Sequence, residues 1–109
     1  MISINMADNT FDWREYKFES GVSDPKLLKT QPGIYMVYCM EPKQLLLDLG
    51  EAIDVQARVT NHDRKDCWEK KATGKIYFAA HYMPGAPEQT RRDVEGKLRR
   101  WDSFVCGER

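Results

Sequence analysis

The sequence predicts a small α/β domain of the α+β kind, in which an antiparallel sheet of three strands is flanked by helices. Two apolar segments, residues 34–40 and 45–49, are separated by four residues that include a proline, and so short a connection favours an antiparallel hairpin. A helical pattern follows, then a third strand and a second helical pattern. This order of elements is typical of a sheet with helices packed against it.

The N-terminal region, residues 1–26, is predicted to be an arm or an edge strand that precedes the main domain, residues 27–109. Residues 11–18 carry aromatic side chains with some polar alternation, which is typical of a half-buried strand. Residues 21–25 have the composition of a turn, and their Asp-Pro end suits the start of a short helix. The dipeptide Pro-Gly at 32–33 then introduces the first strand of the main domain.

The return strand, residues 45–49, has the sequence Leu-Leu-Leu-Asp-Leu. Its nearly continuous apolar character predicts burial on both faces, and Gly50 is expected to end it. Ala52, Val55 and Val59 then recur at helical spacing, which predicts a helix over residues 52–62.

The second half of the chain is predicted to hold a charged surface segment, a strand and a helix. Residues 61–71 are highly charged around Trp68, which indicates a helical or irregular surface. Residues 75–82 have the aromatic-rich composition of a strand, and Pro87 suits the first position of the last helix. The apolar stripe of that helix comprises Val94, Leu98 and Trp101.

The charge composition excludes a strongly cationic surface over the whole molecule. The chain of 109 residues has a formal net charge of zero, with 31% charged and 41% hydrophobic residues, which is ordinary for one globular domain. Nucleic-acid binding usually leaves a cationic footprint, so any such site must be a local patch. Two candidate patches are Arg91, Arg92, Lys97, Arg99 and Arg100, and Arg64, Lys65, Lys70, Lys71 and Lys75.

The cysteines indicate reduced thiols in a cytoplasmic protein. Cys39, Cys67 and Cys106 are odd in number and widely spaced, and the absence of a Cys-x-x-Cys pair argues against a zinc site. The sequence has no apolar run long enough to span a bilayer, so we predict no membrane association. Its first ten residues have neither a basic segment nor a long apolar one, so no signal peptide is predicted.

Four short pieces of sequence occur in one particular order. They are Gly-Ile-Tyr at 33–35, Leu-Gly at 49–50, Arg58 eight residues after that glycine, and a helical segment, 91–98, that contains Glu95. In this combination they resemble the GIY-YIG nuclease superfamily, especially its excision-repair branch, over residues 27–98. The resemblance implies a GIY-YIG-like fold.

The resemblance also implies hydrolysis of a phosphodiester in DNA or another nucleic acid with a single Mg²⁺ or Mn²⁺ ion. Tyr35 would activate or orient the attacking water, and Arg58 would stabilise the charge on the pentacovalent phosphorus. Glu95 would hold the metal, which acts as a Lewis acid. His62 and Asp48 would be auxiliary catalytic residues.

Three departures from the family pattern bear on activity. Asp48 stands where the second motif has tyrosine, Glu51 stands where the family often has lysine, and residues 102–109 contain no asparagine. The first two changes place negative charge near a site for an anion, which is unfavourable unless it is compensated. Asp48 could instead serve as an additional metal ligand or a base, so the changes are compatible with an altered site or an inactive one.

Each candidate residue could also have a purely structural role. A buried Asp48 must be paired, and Arg58 or a metal is the expected partner, whereas an Asp48 at a strand end could face solvent. Tyr35 could pack within its strand, and Arg58 could form an exposed ion pair with Asp54. His62 could pack or cap a helix end, and Glu95 could belong to a solvated ladder with the neighbouring arginines of its helix.

Nucleic-acid contacts are predicted at Arg91, Arg92 and Arg99 of the last helix and at Lys71, although the same residues are typical of a solvated helix face. The leading function predicted is a metal-dependent endonuclease. One alternative is a catalytically degenerate module that binds nucleic acid. Another is a protein-interaction domain, in which residues 11–18 add a strand to a protein partner or to a second copy in a homodimer.

Overall fold

The computed structural model describes residues 2–107 and confirms the predicted α+β class. The 3-10 helix Pro25–Leu27 lies between the second and third strands. The strands are β1 (Thr10–Trp13), β2 (Tyr16–Val22), β3 (Gly33–Cys39), β4 (Leu45–Ala52) and β5 (Ile76–Tyr82), and the helices are α1 (Val55–Thr60), α2 (Lys65–Lys71) and α3 (Glu88–Trp101).

Within residues 2–107 the sheet has five strands in the order β1-β2-β5-β3-β4, and each adjacent pair is antiparallel. The three predicted strands form its β5-β3-β4 part. The predicted number of strands, three, was too low. The aromatic-rich residues 11–18 lie in a hairpin, β1–β2, that joins the sheet through β5. Its turn has Arg14 at a φ of 56°, a conformation in which hairpin turns usually carry Gly or Asn, so the sequence gives no turn signal there.

The β4 strand extends beyond its predicted end. Gly50 does not terminate it, because Tyr35 pairs with Gly50 and Gly33 pairs with Ala52. The helix that was predicted over residues 52–62 is therefore shorter, and α1 begins at Val55. Asp54 caps it, accepting a hydrogen bond from the Ala57 N–H at 3.1 Å, as is typical of a helix N-terminus.

Helices cover both faces of the sheet. Leu98 of α3 packs with Phe18, Ile34 and Met36 on one face, and α1 and α2 contribute to the core on the other face. A one-residue register shift, between the pairs Val37–Asp48 and Tyr38–Leu46, forms a bulge in β4. Because side chains alternate along a strand, the shift sets which face Asp48 occupies.

The C-terminal segment runs along the outer edge of β4. The N–H groups of Val105 and Cys106 donate to the carbonyl oxygens of Leu46 and Leu47, which places Cys106 beside α2. A disulfide joins Cys106 to Cys67, so the prediction of reduced thiols was wrong for this pair, whose members lie 39 residues apart in the sequence. The Cys39 thiol is free and buried within the described residues.

Across residues 2–107, the helices are all too short or too polar to cross a membrane.

Candidate functional site

A cleft of about 350 Å³ lies at β4, between α1 and α3. Its volume is within the range of roughly 300–1,000 Å³ that is usual for ligand sites. Three residues of the predicted site, Tyr35, Arg58 and Glu95, line it together. The other lining residues are Gly50, Glu51, Arg64, Arg99 and Gly107.

Tyr35 lies across Gly50 on the floor of this cleft and is 1% exposed. A Cβ atom at position 50 would overlap the phenol ring and hydroxyl of Tyr35. Glycine is thus required at position 50 for close approach of the phenol to the β4 backbone. The Leu-Gly pair of the second motif has a steric reason here, even though the tyrosine of that motif is absent.

His62 positions the Tyr35 hydroxyl. His62 Nε2 lies 2.5 Å from Tyr35 Oη, and His62 Nδ1 accepts a hydrogen bond from the Arg64 backbone N–H at 3.0 Å. Since Nδ1 accepts, a neutral imidazole carries its proton on Nε2 and donates it to the phenol oxygen. Burial, together with the positive charges of Arg58 and Arg64, lowers the pKa of His62 to about 4, so the ring is neutral at pH 7.

The phenol is also neutral. Burial first, and then the charge of Asp48, raise the pKa of Tyr35 to about 12. Because the Tyr35 oxygen accepts from His62, its own O–H is the donor that can serve a ligand in the cleft. Tyr35 is therefore suited to orient a water or a phosphate oxygen, and it is poorly suited to remove a proton as a phenolate.

Asp48 is fully buried and has its own set of donors. Arg64 donates to it from Nε at 2.8 Å and from Nη2 at 3.2 Å. Trp68 Nε1 and the Leu49 N–H also donate to it, each at 2.8 Å. The prediction that Arg58 would pair with Asp48 was wrong. The bulge in β4 leaves Asp48 facing Arg64 and Trp68 instead. A carboxylate held in this way is a structural counter-ion, and its position does not support the predicted catalytic role.

Arg99 joins this buried network to Glu95. Its Nε donates to Glu95 Oε2 at 2.9 Å, and its Nη2 lies 3.5 Å from Asp48 Oδ1 and donates to the Leu49 carbonyl oxygen. Arg99 has a side chain only 13% exposed. It lines the cleft, so the nucleic-acid contact predicted for this residue stays a prediction, with the cleft as its place.

The other predicted nucleic-acid contacts are dispersed. The Arg91 side chain is only 4% exposed, and it donates to Glu51 at 2.9 Å and to the Ala86 carbonyl oxygen, so its predicted contact with nucleic acid is not supported. This ion pair also compensates the charge of Glu51. Arg92 is exposed and pairs with Glu88, and Lys71 is exposed at the end of α2.

Arg58 is the most exposed of the three arginines that line the cleft. Its Nη2 donates to Asp63 at 3.1 Å, with the Arg58 side chain 37% exposed and the Asp63 side chain 75% exposed. Exposed ion pairs of this kind contribute little to stability because water screens them, so an anionic ligand can replace Asp63 readily. The predicted pair with Asp54 does not form, because the Asp54 carboxylate caps α1.

Sequence reasoning missed Arg64 and Trp68 as partners of Asp48. The aspartate within an apolar strand did signal that a buried donor had to be nearby. The sequence does not distinguish Arg64 from the basic residues around it, and the tertiary fold makes the selection.

The carboxylates of the cleft are the groups of this site that could hold a divalent cation. Mg²⁺ binds hard oxygen ligands, usually one or two carboxylates with water. No group of three His, Cys, Asp or Glu side chains suited to a metal occurs in residues 2–107. The carboxylates at the cleft, Glu51 and Glu95, are each bonded to an arginine, and so is Asp48 behind it. As arranged, these residues do not fit a divalent cation.

Comparison with solved structures identifies the class of fold. The chain is similar to the GIY-YIG N-terminal endonuclease domain of UvrC from Thermotoga maritima, with a TM-score of 0.51, 13% identity, and coverage of 78% of this chain and 91% of that one. That structure is a tyrosine-to-phenylalanine mutant bound to its catalytic divalent cation. An asparagine-to-alanine mutant of the same domain, also cation-bound, matches with a TM-score of 0.51 and 13% identity over 79% of this chain and 92% of that one.

The chain therefore has a GIY-YIG-like fold, which confirms the resemblance predicted from sequence at the level of the fold. Comparisons with models of protein families and with the sequences of curated proteins find no match.

Proposed function

We propose that the cleft binds a backbone phosphodiester of nucleic acid. The observation that carries this proposal is the convergence of the Arg58, Arg64 and Arg99 side chains with the Tyr35 hydroxyl in one cleft. Guanidinium groups bind phosphate oxygens through paired hydrogen bonds. A neutral tyrosine adds a directional donor.

The three arginines have different roles in this proposal. Arg58 makes the first contact, because it is exposed and its partner Asp63 is readily replaced. Arg64 and Arg99 are held in place by Asp48, so they present guanidinium donors at fixed positions with little loss of side-chain entropy on binding. A local site of this kind is compatible with the zero net charge of the chain.

The test is binding of fluorescently labelled single-stranded, duplex and branched DNA by the full chain at fixed ionic strength. We expect Arg58→Gln to weaken binding by roughly tenfold or more, since a charge-assisted hydrogen bond contributes about 1.5–3 kcal/mol. Arg92→Gln is the matched control, because Arg92 is an exposed arginine of α3 that pairs with Glu88 and is not part of the cleft lining. Equal losses for both variants would show that the cleft is not the binding site.

A second candidate function is hydrolysis of the bound phosphodiester by an endonuclease. It is favoured by one observation, that Tyr35, Arg58 and Glu95 line the same cleft. In this reaction water attacks phosphorus, the ester P–O bond breaks, and the leaving oxygen takes a proton. The single Mg²⁺ or Mn²⁺ ion predicted for Glu95 would require this carboxylate to exchange its bond with Arg99.

Cleavage of the same DNA substrates with magnesium or manganese tests the second candidate, with Glu95→Gln as the inactive variant. Binding of DNA without cleavage would support phosphodiester binding and contradict hydrolysis. A homodimer, a protein partner and a cytoplasmic location stay predictions. Light scattering of the purified chain would test the homodimer, and fractionation of cells would test the location.

A further inference from the structure

We propose that Arg99 is a resident cation that takes the position of a divalent metal at Glu95, so that the cleft binds a phosphodiester without a metal ion. The proposal rests on the phosphodiester binding proposed above and goes further in naming the source of charge. It also accounts for the poor fit between the carboxylates of the cleft and a divalent cation.

The position of Arg99 supports the proposal. Glu95 and Arg99 are one turn apart on α3, a spacing at which side chains on a helix meet. The bond from Arg99 Nε to Glu95 Oε2, at 2.9 Å, is fixed further by the contacts of Nη2 with Asp48 and the Leu49 carbonyl oxygen. The guanidinium is thus anchored to two elements, α3 and β4, at the wall of the cleft.

The burial of the pair makes the charge at Glu95 important. Glu95 is 1% exposed, and a buried carboxylate is unfavourable unless a cation or hydrogen bonds compensate it. Arg99 is 13% exposed, and its guanidinium supplies a positive charge beside that carboxylate. Arg99 therefore compensates the negative charge of Glu95. A metal ion bound at Glu95, as the family resemblance implies, would have the same electrostatic effect.

The same arrangement opposes metal binding. A divalent cation at Glu95 would lie beside the Arg99 guanidinium in a poorly screened site, where like charges repel strongly. The metal would also have to replace a bond that is anchored by Asp48. Loss of the charge at position 99 would remove this repulsion, while Asp48 would keep Arg64 and Trp68 as donors.

The guanidinium can also contact the ligand. Arginine carries five N–H donors, and the bonds of Arg99 within the described residues engage Nε and Nη2. Since the residue lines the cleft beside Arg58 and Arg64, a phosphate bound there would meet guanidinium N–H donors held in place on α3.

The experiment compares the full chain with Arg99→Gln, whose amide can still donate to Glu95 but carries no charge. Binding of a labelled oligonucleotide is measured in EDTA and in magnesium at matched ionic strength, since salt alone changes affinity. Manganese binding is measured separately by electron paramagnetic resonance. Arg100→Gln, an exposed neighbour on α3, is the control, and circular dichroism verifies folding of each variant.

We expect the native chain to bind the oligonucleotide equally in EDTA and in magnesium and to leave manganese free. Arg99→Gln should bind more weakly in EDTA, by roughly tenfold for one lost charge-assisted contact. It should also take up manganese and recover affinity when the metal is added. Arg99→Lys keeps the positive charge and should therefore exclude manganese. This variant is the second test of the charge at position 99, and it is used if Arg99→Gln does not fold.

Two results would overturn the inference. One is manganese binding by the native chain that Glu95→Gln abolishes, and the other is native oligonucleotide binding that requires a metal. A failure of the proposed function looks different, because the native chain and all variants would then bind no oligonucleotide in either buffer. The manganese titration would still decide whether Arg99 excludes a metal.

Discussion

Arg64 holds Asp48 through two hydrogen bonds, from Nε to Oδ2 at 2.8 Å and from Nη2 to Oδ1 at 3.2 Å. Arg99 approaches the same carboxylate from α3. The aspartate that replaces the tyrosine of the second motif therefore does not present unpaired charge to an anion. It holds two arginines at the cleft, so the substitution at the second motif fixes guanidinium donors in place rather than leaving a bare negative charge.

The first prediction concerns this pair. Asp48→Asn should destabilise the chain by about 3–5 kcal/mol, because Arg64 and Arg99 would lose the carboxylate that compensates their partly buried charges. The free energy of unfolding in urea measures the effect. Asp63→Asn is the control, since the Asp63–Arg58 pair is exposed and its loss should change the unfolding free energy little. Similar small losses in both variants would contradict the structural role assigned to Asp48.

The chemistry of the candidate site was only partly predictable from the sequence. Motif order identified Tyr35, Arg58 and Glu95, and these side chains do line one cleft. The partner of Glu95 was one of the two helix neighbours that the sequence offered, Arg91 and Arg99, and it is Arg99. The partner of Asp48 could not be derived, because the sequence does not show which arginine is directed toward it. Which arginine faces the cleft depends on the bulge in β4 and on the side of the sheet that α3 covers.

The second prediction concerns stability in acid. The folded pKa of His62, about 4, is below the ordinary value of 6.5. The unfolded chain therefore binds the proton first, and stability that is present above pH 6.5 is lost as the pH falls from 6.5 to about 4. The shift corresponds to roughly 3 kcal/mol. His62→Gln should flatten the pH dependence of the unfolding free energy in this window, and an unchanged slope would contradict the assignment.

The fold was more predictable than the site. Apolar and aromatic composition located β3 and β5, and the apolar stripe at helical spacing located α3. The β1–β2 hairpin was missed because Arg14 occupies a turn position that favours Gly or Asn. The disulfide was missed because no local pattern brings Cys67 near Cys106. They meet only when the C-terminal segment runs along β4.

The third prediction concerns this disulfide. Cys67→Ser with Cys106→Ser should lower the free energy of unfolding by about 2–4 kcal/mol, because the cross-link restricts the unfolded chain. Gly107 follows Cys106 and lines the cleft, so oligonucleotide binding should weaken as well. Thermal melting and binding with and without a reductant provide the measurements. The reductant should lower the melting temperature and the affinity of the native chain and leave both unchanged in the double variant. An effect on both proteins would show that the reductant does not act through this disulfide.

The fourth prediction compares two glycines with opposite expected effects. Gly50→Ala should destabilise the chain by about 1–3 kcal/mol, because the new Cβ overlaps the Tyr35 ring. Gly96→Ala should instead stabilise it by up to about 1 kcal/mol, since Gly96 lies within α3 and its added Cβ would be 3.6 Å from the nearest atom, Arg100 Nη1. Urea unfolding of both variants measures these effects.

Because the overlap displaces the hydroxyl that His62 holds, Gly50→Ala should also weaken oligonucleotide binding, whereas Gly96→Ala should not. A Gly50→Ala protein with native stability and affinity would show that the close approach of Tyr35 to β4 is not required.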